Sequence, residues 1–454
     1  TSERLPRRAA AWRVKIRTGR LGAFAPGCYL CGTIPERMRM KLRNLIFAGG
    51  RAAQGVPLRE AAQRTVYPIL LMACAAHLLN DMMQSVIPAV YPLLKEKFGF
   101  SFAQIGLITL VFQMTSSVLQ PFVGLHADRH PQPYSLAVGM CFTLVGLLLL
   151  AVAPGFVWIL LSVSLIGWGS SVFHPESSRV AQLASGGRKG LAQSIFQVGG
   201  NAGNALGPLL AALVVIPFGQ HSIGWFALAA VAAIVILLRV GAWYRDRLRT
   251  VSGPLFPGAS DAVSGLSPRR IRRALLILTV LVFSKYFYMA CMTNFFTFFL
   301  MERFGISVQA SQYCLFAFLA AAAAGTVIGG PVGDRIGRKY VIWVSILGAA
   351  PFALLLPYAG LAGTIVLAVV VGLVISSAFS AIVVYATDLM PGKVGMIAGL
   401  FFGLMFGLGG IGSAFFGWLA DRTSLEFIFR ASSLLPLLGI ITGLLPDVEA
   451  RKTR

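Results

Sequence analysis

The sequence predicts an all-α membrane protein that crosses the bilayer with twelve helices. Of its 454 residues, 57% are hydrophobic and only 12% are charged, which is more apolar surface than the core of a water-soluble protein can hide. The apolar segments are too long and too unbroken for the alternating strands of a membrane barrel, and backbone groups in hydrocarbon must pair within their own segment. Helices are therefore expected for every crossing.

Twelve apolar segments follow one another from residue 66 onward, each near or above the roughly 20 residues that a membrane-crossing helix needs. They are predicted at 67–93, 104–125, 134–153, 156–183, 191–216, 222–243, 271–300, 311–332, 340–359, 362–389, 395–419 and 425–445. Lys and Arg concentrate in alternate loops, above all in the connection 244–270. This bias favours a cytoplasmic position for these loops and for both chain termini.

An internal repeat predicts that the twelve segments form two homologous halves of six. Residues 98–101 read FGFS and residues 304–307 read FGIS, an offset of 206 that also relates Asp128 to Asp334. Repeats of this kind are typical of transporters with a site between their halves. The predicted units are a basic arm at 1–65, expected to be disordered or to precede the true start, a first bundle at 66–244, a linker at 245–270, a second bundle at 271–445 and a tail at 446–454.

The formal charge of +23 would suggest a nucleic-acid partner in a soluble protein. Here the basic residues lie in loops and in the arm, so topology explains them and no nucleic-acid partner is expected. Six scattered cysteines predict no disulfide framework. Metalloprotease, nucleophile-elbow and phosphate-loop spacings are not found in the sequence, so we expect no enzyme activity, no cofactor and no metal.

One loop carries a specific motif. Residues 330–339 read Gly-Pro-Val-Gly-Asp-Arg-Ile-Gly-Arg-Lys, which resembles the signature of the major facilitator superfamily between the second and third helices of a half. An aspartate there can sit at a helix N-terminus while the arginines pair with acids at helix ends, which latches one conformation. The first half has His-Pro-Gln-Pro in place of the last basic residues. The expected latch residues are Gly124, Asp128, Arg129, Gly330, Asp334, Arg335, Gly337 and Arg338.

A stripe of small residues marks the fifth segment. Gly199, Gly203 and Gly207 are spaced by four and are followed by Pro208, a pattern that resembles the antiporter signature of the superfamily. This spacing places the glycines along one ridge, where a second helix can approach closely. Tight helix packing and a specific antiport role both remain open, and the two are compatible.

Three further segments resemble the fosmidomycin resistance protein family of efflux transporters. They are residues 77–81 (HLLND), 173–179 (FHPESSR) and 193–201, which holds QS and QVGGN. The resemblance covers nearly all of 66–445 and implies proton-driven export of an anionic phosphonate antibiotic. The arginine motif that the superfamily carries in its fourth helix has no match at its usual place, since residues 165–169 read LIGWG.

Ionisable groups inside a membrane need partners or a water-filled cavity, so each one is a candidate functional residue. Asp81 falls near mid-membrane and is expected either to handle protons or substrate, or to make a buried structural hydrogen bond. Pro175 should bend the fourth helix beside His174 and Glu176. The expected proton-coupling residues are Asp81, His174 and Glu176, with His174 tuning Glu176. The expected substrate-binding residues are His77, Asn80, Gln84, Gln193, Gln197, Asn201, Asn204, Lys285 and Asn294.

The resulting hypothesis is a proton-coupled exporter of a small, anionic drug in the bacterial inner membrane. Its expected partners are a small-molecule substrate, protons and the lipid bilayer, and the chain is expected to act as a monomer. Two alternatives stay open at this point. One is an importer of a small organic anion on the same fold, and the other is a membrane receptor that transports nothing.

Overall fold

The computed structural model describes residues 65–186, 188–250, 267–390 and 394–446. Within these residues, twelve helical segments are long and apolar enough to cross a membrane, and no strand occurs. Spans 1 to 12 are Tyr67–Phe98, Phe102–Val123, Ser135–Val152, Phe156–Ala184, Leu191–Phe218, Gln220–Arg249, Pro268–Phe304, Val308–Gly329, Arg338–Tyr358, Leu361–Leu389, Leu400–Arg422 and Leu425–Leu444. The predicted all-α class with twelve membrane helices is confirmed.

Parts of the predicted organisation lie outside the described residues. These parts are residues 1–64 of the predicted arm, residues 251–266 of the predicted linker and residues 447–454 of the predicted tail. The helix of span 6 continues to Thr250 and that of span 7 begins at Pro268, so both run into the predicted linker.

Several spans consist of two or three helical stretches. Span 1 is divided into Tyr67–Ala89 and Tyr91–Phe98, because Pro92 lacks the N–H that would continue the ladder. In span 5 the helix Lys189–Leu210 leads into a π-helical turn at Ala211–Val215 and a short helix at Ile216–Phe218. The remaining divided spans are 6 (Gln220–Phe226, Ala227–Thr250), 9 (Arg338–Leu347, Ala350–Leu355, Leu356–Tyr358), 10 (Leu361–Ser376, Ala378–Leu389) and 12 (Leu425–Ser432, Leu435–Leu444).

The other helices are continuous and some extend beyond the apolar segment. The helix of span 2 runs over Phe102–Arg129, that of span 8 over Val308–Ile336 and that of span 11 over Val394–Arg422. Span 2 packs against span 11, and span 5 packs against span 8, so these two contacts join the halves. An even number of spans places the start of span 1 and the end of span 12 at one end of the helical bundle, which we call the inner end; the opposite end is the outer end.

Span 5 rests directly on the backbone of span 1. A β-carbon added at Gly199 would lie 2.1 Å from the carbonyl oxygen of Cys74, and one added at Gly203 would lie 2.3 Å from that of Leu78. Real β-carbons do not approach an oxygen so closely, so these positions accept glycine alone without a shift of the helices. The contacts support the packing interpretation of the glycine stripe, and the antiport role stays a prediction.

Replacing Gly203 by alanine should lower the thermal stability of the purified protein. The added methyl group must push span 5 away from span 1, and overpacking of this kind costs about 1–3 kcal/mol. We expect the apparent melting temperature in detergent to fall by several degrees. The matched control is Gly409→Ala, because a β-carbon at Gly409 meets nothing within 4 Å. Equal melting of the two variants would contradict the packing interpretation.

Candidate functional site

A carboxylate lies halfway along span 1 and is surrounded by nitrogen atoms from three spans. The side chain of Asp81 is close to His77 Nε2 (3.3 Å) and to His174 Nε2 (3.5 Å). Its two oxygens also accept hydrogen bonds from Asn80 Nδ2 and Asn204 Nδ2, both at 2.9 Å. Spans 1, 4 and 5 therefore converge on this group, which we call the Asp81 cluster.

Backbone carbonyls fix the orientation of both imidazole rings. His77 Nδ1 lies 2.8 Å from the carbonyl oxygen of Phe196, and His174 Nδ1 lies 3.1 Å from that of Ser170. A carbonyl oxygen can only accept, so the hydrogen is assigned to Nδ1 in each ring. Both Nε2 atoms then face the carboxylate. Unless a proton or another cation lies between these nitrogens and the carboxylate, the Nε2 lone pairs point at a negative charge and the contact is repulsive.

Close packing of aromatic rings and a glycine holds His77 in place. The ring of His77 stacks on Phe196 with centroids 3.9 Å apart and contacts Phe173 at 5.7 Å. A β-carbon at Gly200 would lie 2.4 Å from His77 Nε2 and 2.8 Å from Asp81 Oδ2. A methyl group at Gly200 would therefore displace the His77 ring from its place beside Asp81, a consequence that the position of Gly200 on span 5 alone does not reveal.

Glu176 faces away from the Asp81 cluster. Residues two apart on a helix point roughly 200° apart, and here His174 contacts Asp81 while Glu176 Oε1 lies 3.8 Å from Arg179 Nη1. The expected tuning of Glu176 by His174 is not supported by these contacts. Glu176 is 1% exposed, and its Oε2 has no hydrogen-bond partner among the described residues.

The predicted polar residues of spans 1 and 5 divide into two groups. His77, Asn80 and Asn204 touch the carboxylate, whereas Gln84 accepts a hydrogen bond from Ser170 Oγ at 3.3 Å, beside His174. The second group, Gln193, Gln197 and Asn201, makes no described contact with the carboxylate. Gln193 accepts from Ser178 Oγ at 3.1 Å, while Gln197 and Asn201 are half-buried.

A buried cation occupies the second half. Lys285 on span 7 is 3% exposed, and its Nζ lies 3.5 Å from the carbonyl oxygen of Ser376 on span 10. The ammonium group also lies over the rings of Tyr286 and Phe379, at 5.1 and 5.6 Å. None of these contacts is a carboxylate, and Asp81 has partners of its own in spans 1, 4 and 5. This arrangement can receive an anion.

Aromatic residues of span 11 connect the surroundings of the two charged groups. Phe406 contacts the ring of His174, with centroids 5.4 Å apart, and Phe402 contacts Phe379 at 5.2 Å. Residues four apart lie on the same helix face, so one side of span 11 touches the Asp81 cluster and the rings beside Lys285.

Asn294 belongs to the contact between the halves. Its Oδ1 accepts a hydrogen bond from Thr109 Oγ1 at 2.8 Å, and Thr109 is in turn 2.6 Å from the hydroxyl of Tyr91. Asn294 thus ties span 7 to spans 1 and 2. The structure does not bring it to the Asp81 cluster.

The predicted latch is described in part. Only the helical backbone is described at Gly124, Asp128, Arg129, Gly330 and Asp334. Arg338 contacts the carboxylate of Asp388 at the end of span 10, as expected for an arginine that pairs with an acid at a helix end. Gly337 has φ +98°, a backbone conformation that favours glycine in the tight turn between spans 8 and 9. Arg335 is exposed.

The Asp81 cluster is also a donor set that suits a metal ion. One ligand atom from each of His77, Asp81 and His174 lies within 4.8 Å of the other two. Two imidazole nitrogens and one carboxylate oxygen are a common donor set for zinc, and histidine ligands typically donate their second nitrogen to a carbonyl, as both rings do here. The geometry of the cluster therefore suits a cation, either a proton or a metal ion.

Twelve membrane-crossing helices with ionisable side chains buried among them are typical of a membrane transporter. A profile described as "Major Facilitator Superfamily" matches residues 73–313 and 278–454. Over 393 residues, 87% of this chain and 96% of the relative, the chain is 57% identical to the fosmidomycin resistance protein of Escherichia coli (strain K12). It is 42% identical over 399 residues to an uncharacterized MFS-type transporter, YfnC, of Bacillus subtilis (strain 168), covering 87% and 98% of the two chains.

Solved structures agree on the fold. A bacterial homolog of the human lysosomal transporter Spinster, in an inward-facing and occupied conformation, matches with a TM-score of 0.63 at 18% identity, over 85% of this chain and 91% of that one. The chain belongs to the major facilitator superfamily, and within it to the family of the fosmidomycin resistance protein. It is a multi-pass membrane transporter related to a drug-resistance protein.

Replacing Gly200 by alanine should strongly reduce transport while the protein still inserts into the membrane. The added methyl group takes the space of the His77 ring and separates it from Asp81. Uptake of substrate into inverted membrane vesicles, corrected for the amount of protein, measures the effect. Gly224→Ala is the matched control, because a β-carbon there meets only the Ala151 side chain at 3.6 Å. Normal uptake by the Gly200 variant would show that the cluster is not needed.

Proposed function

We propose that this protein is a proton-coupled antiporter of the bacterial inner membrane that exports a small anion such as a fosmidomycin-like phosphonate. The observation that carries the proposal is the buried Asp81 carboxylate with His77 and His174 Nε2 within 3.5 Å. The relative at 57% identity is named for resistance to fosmidomycin. In this proposal the chain acts as a monomer with both termini in the cytoplasm, and it carries substrate without changing it chemically.

The Asp81 cluster has the properties of a site that takes up and releases protons. With Nδ1 of each ring bonded to a carbonyl, a proton shared between Nε2 and the carboxylate converts a repulsive contact into a hydrogen bond. The number of bound protons sets the charge of the cluster. When the cavity opens to the other side of the membrane, water and the local proton concentration reach the same three groups, so the proton can leave there.

Lys285 supplies the complementary charge for the cargo. A buried ammonium group without a carboxylate among its described contacts is costly in a membrane, and an anionic substrate removes that cost. Phe402 contacts Phe379, which lies beside Lys285, and Phe406 contacts His174. A cargo bound beside Lys285 would therefore be close to the face of span 11 that contacts the Asp81 cluster. This arrangement supports exchange of a proton against an anion.

Glu176 remains a second candidate for proton transfer. It is buried beside Arg179, and one of its oxygens has no hydrogen-bond partner among the described residues. Its separation from His174 means that it would act independently of the Asp81 cluster.

Asp81→Asn should abolish proton-driven transport while substrate binding is retained. The amide keeps the size of the side chain but cannot exchange a proton. The measurement is accumulation of labelled fosmidomycin in inverted vesicles, with and without a proton gradient, together with equilibrium binding to the purified variant. Glu96→Gln is the matched control, because Glu96 is an exposed carboxylate on the same span. Glu176→Gln tests the second candidate in parallel.

Two results would overturn this assignment. The first is normal gradient-driven accumulation by both Asp81→Asn and Glu176→Gln. The second is loss of wild-type transport on treatment with a metal chelator, with recovery on addition of zinc, which would assign the cluster to a metal ion instead.

Lys285→Gln should weaken binding of the anionic substrate. A hydrogen bond to a charged group contributes about 1.5–3 kcal/mol, so affinity should fall roughly 10- to 100-fold. The comparison is made in a panel of anionic and cationic compounds, and Lys97→Gln serves as control because Lys97 is exposed and donates to Gln220 Oε1. An equal loss for cationic compounds would indicate a structural role for Lys285.

A further inference from the structure

The outer end of span 2 is held by a carboxylate from span 11. Asp421 Oδ1 accepts the backbone N–H of Phe102 at 2.8 Å, and Oδ2 accepts that of Ala103 at 2.7 Å. The next N–H, that of Gln104, is accepted by the hydroxyl of Ser101 at 3.1 Å. The first turn of span 2 therefore satisfies two of its otherwise unpaired donors with a residue of the opposite half, where the helix dipole also favours a negative charge.

Glycines bring these two helices into backbone contact at the outer end. A β-carbon at Gly417 would lie 2.3 Å from the carbonyl oxygen of Phe102, and one at Gly106 would lie 2.4 Å from that of Ser413. Nearer the inner end the helices diverge. The nearest atom to a β-carbon at Gly407 is Met114 Cε at 3.4 Å, and at Gly403 it is a backbone oxygen at 4.0 Å. Spans 2 and 11 are thus closed at the outer end and open progressively inward.

The sequence around Asp421 repeats a motif from the inner end. Residues 417–422 read Gly-Trp-Leu-Ala-Asp-Arg, the same Gly-x-x-x-Asp-Arg spacing as residues 124–129 and 330–335. Those two copies end spans 2 and 8 at the inner end, whereas this third copy ends span 11 at the outer end. The guanidinium group of Arg422 lies over the Trp418 ring, 4.2 Å from its centroid. The Asp421 carboxylate accepts instead from the backbone N–H groups at the start of span 2.

We propose that Asp421 is a positioning residue of the transport cycle, an outer latch that must release the N-terminus of span 2 each time the cavity opens outward. The proposal concerns how access alternates and does not depend on which cargo or coupling ion is carried. Asp421, Phe102 and Ala103 form exposed hydrogen bonds, so water replaces the lost partners on both sides when they separate. The contact can therefore form and break in every cycle.

The contact of span 8 with spans 5 and 1 also joins the halves, and its described hydrogen bonds use uncharged groups. Span 8 meets span 5 through Gln309 Nε2, which donates to the carbonyl oxygen of Ala212 at 3.1 Å, and Gln312 Nε2 donates to that of Ala89 at 2.8 Å. Among the described residues, the charged contact that joins the two halves at the outer end thus lies between spans 2 and 11, and substitution of this carboxylate should shift the balance between the open and closed forms.

The test measures from which side of the membrane a reporter cysteine is reached. Asn204, which is exposed and donates a hydrogen bond to Asp81, is replaced by cysteine in a full-length chain whose six native cysteines are serines. In intact cells, Asp421→Ala should raise the rate of labelling by a membrane-impermeant thiol reagent severalfold. In inverted vesicles, where the reagent comes from the inner end, the rate should fall.

Two further variants distinguish a latch from a general structural role. Glu426→Ala removes an exposed carboxylate of span 12 that pairs with Arg430 and Arg303, and it should leave both labelling rates unchanged. Asp421→Glu keeps the charge and should restore at least part of the parent pattern. Labelling of Asp421→Ala at the parent rate from both sides would overturn the proposal, whatever its transport rate. Equal changes from both sides, which indicate loosening rather than a shift, would overturn it too.

Discussion

A carboxylate inside a membrane must be surrounded by donors, and the first half of this protein is arranged around that requirement. Asp81 receives two amides and two imidazoles from spans 1, 4 and 5. These side chains can meet only where the three helices cross closely. The glycines of span 5 make the crossing possible, because any larger residue at Gly199, Gly200 or Gly203 would collide with span 1. The packing and the chemistry of the site therefore share the same residues.

Much of the fold follows from the sequence because the membrane imposes it. Apolar length fixes the number of spans, and the repeat between residues 98–101 and 304–307 relates the two halves. Asp81, His77 and His174 also stand out as ionisable groups in apolar segments. Their mutual contact could be predicted in part, because His77 and Asp81 are one turn apart on one helix, but the approach of His174 depends on how span 4 is rotated.

Other contacts of the site could not be predicted from the sequence and became known only from the three-dimensional structure. His174 and Glu176 are separated by one residue in the sequence, yet they point to different sides of span 4. Asn294 looks like a cavity residue of span 7 but pairs with Thr109 at the joint between the halves. Asp421 reads as an ordinary loop acid, since its partners are about 320 residues away in the chain. The repeated Gly-x-x-x-Asp-Arg spacing was the one signal that could have identified it.

The two buried charges stand on different halves of the molecule. The carboxylate, its two imidazoles and the Asn204 amide belong to spans 1, 4 and 5, whereas Lys285 and its rings belong to spans 7 and 10. An ion bound to one set and an anion bound to the other do not compete for a single group. In the proposed exchange, the linkage between the two ligands would act through the relative position of the halves, and thermodynamic reciprocity requires each ligand to alter the other's affinity by the same factor.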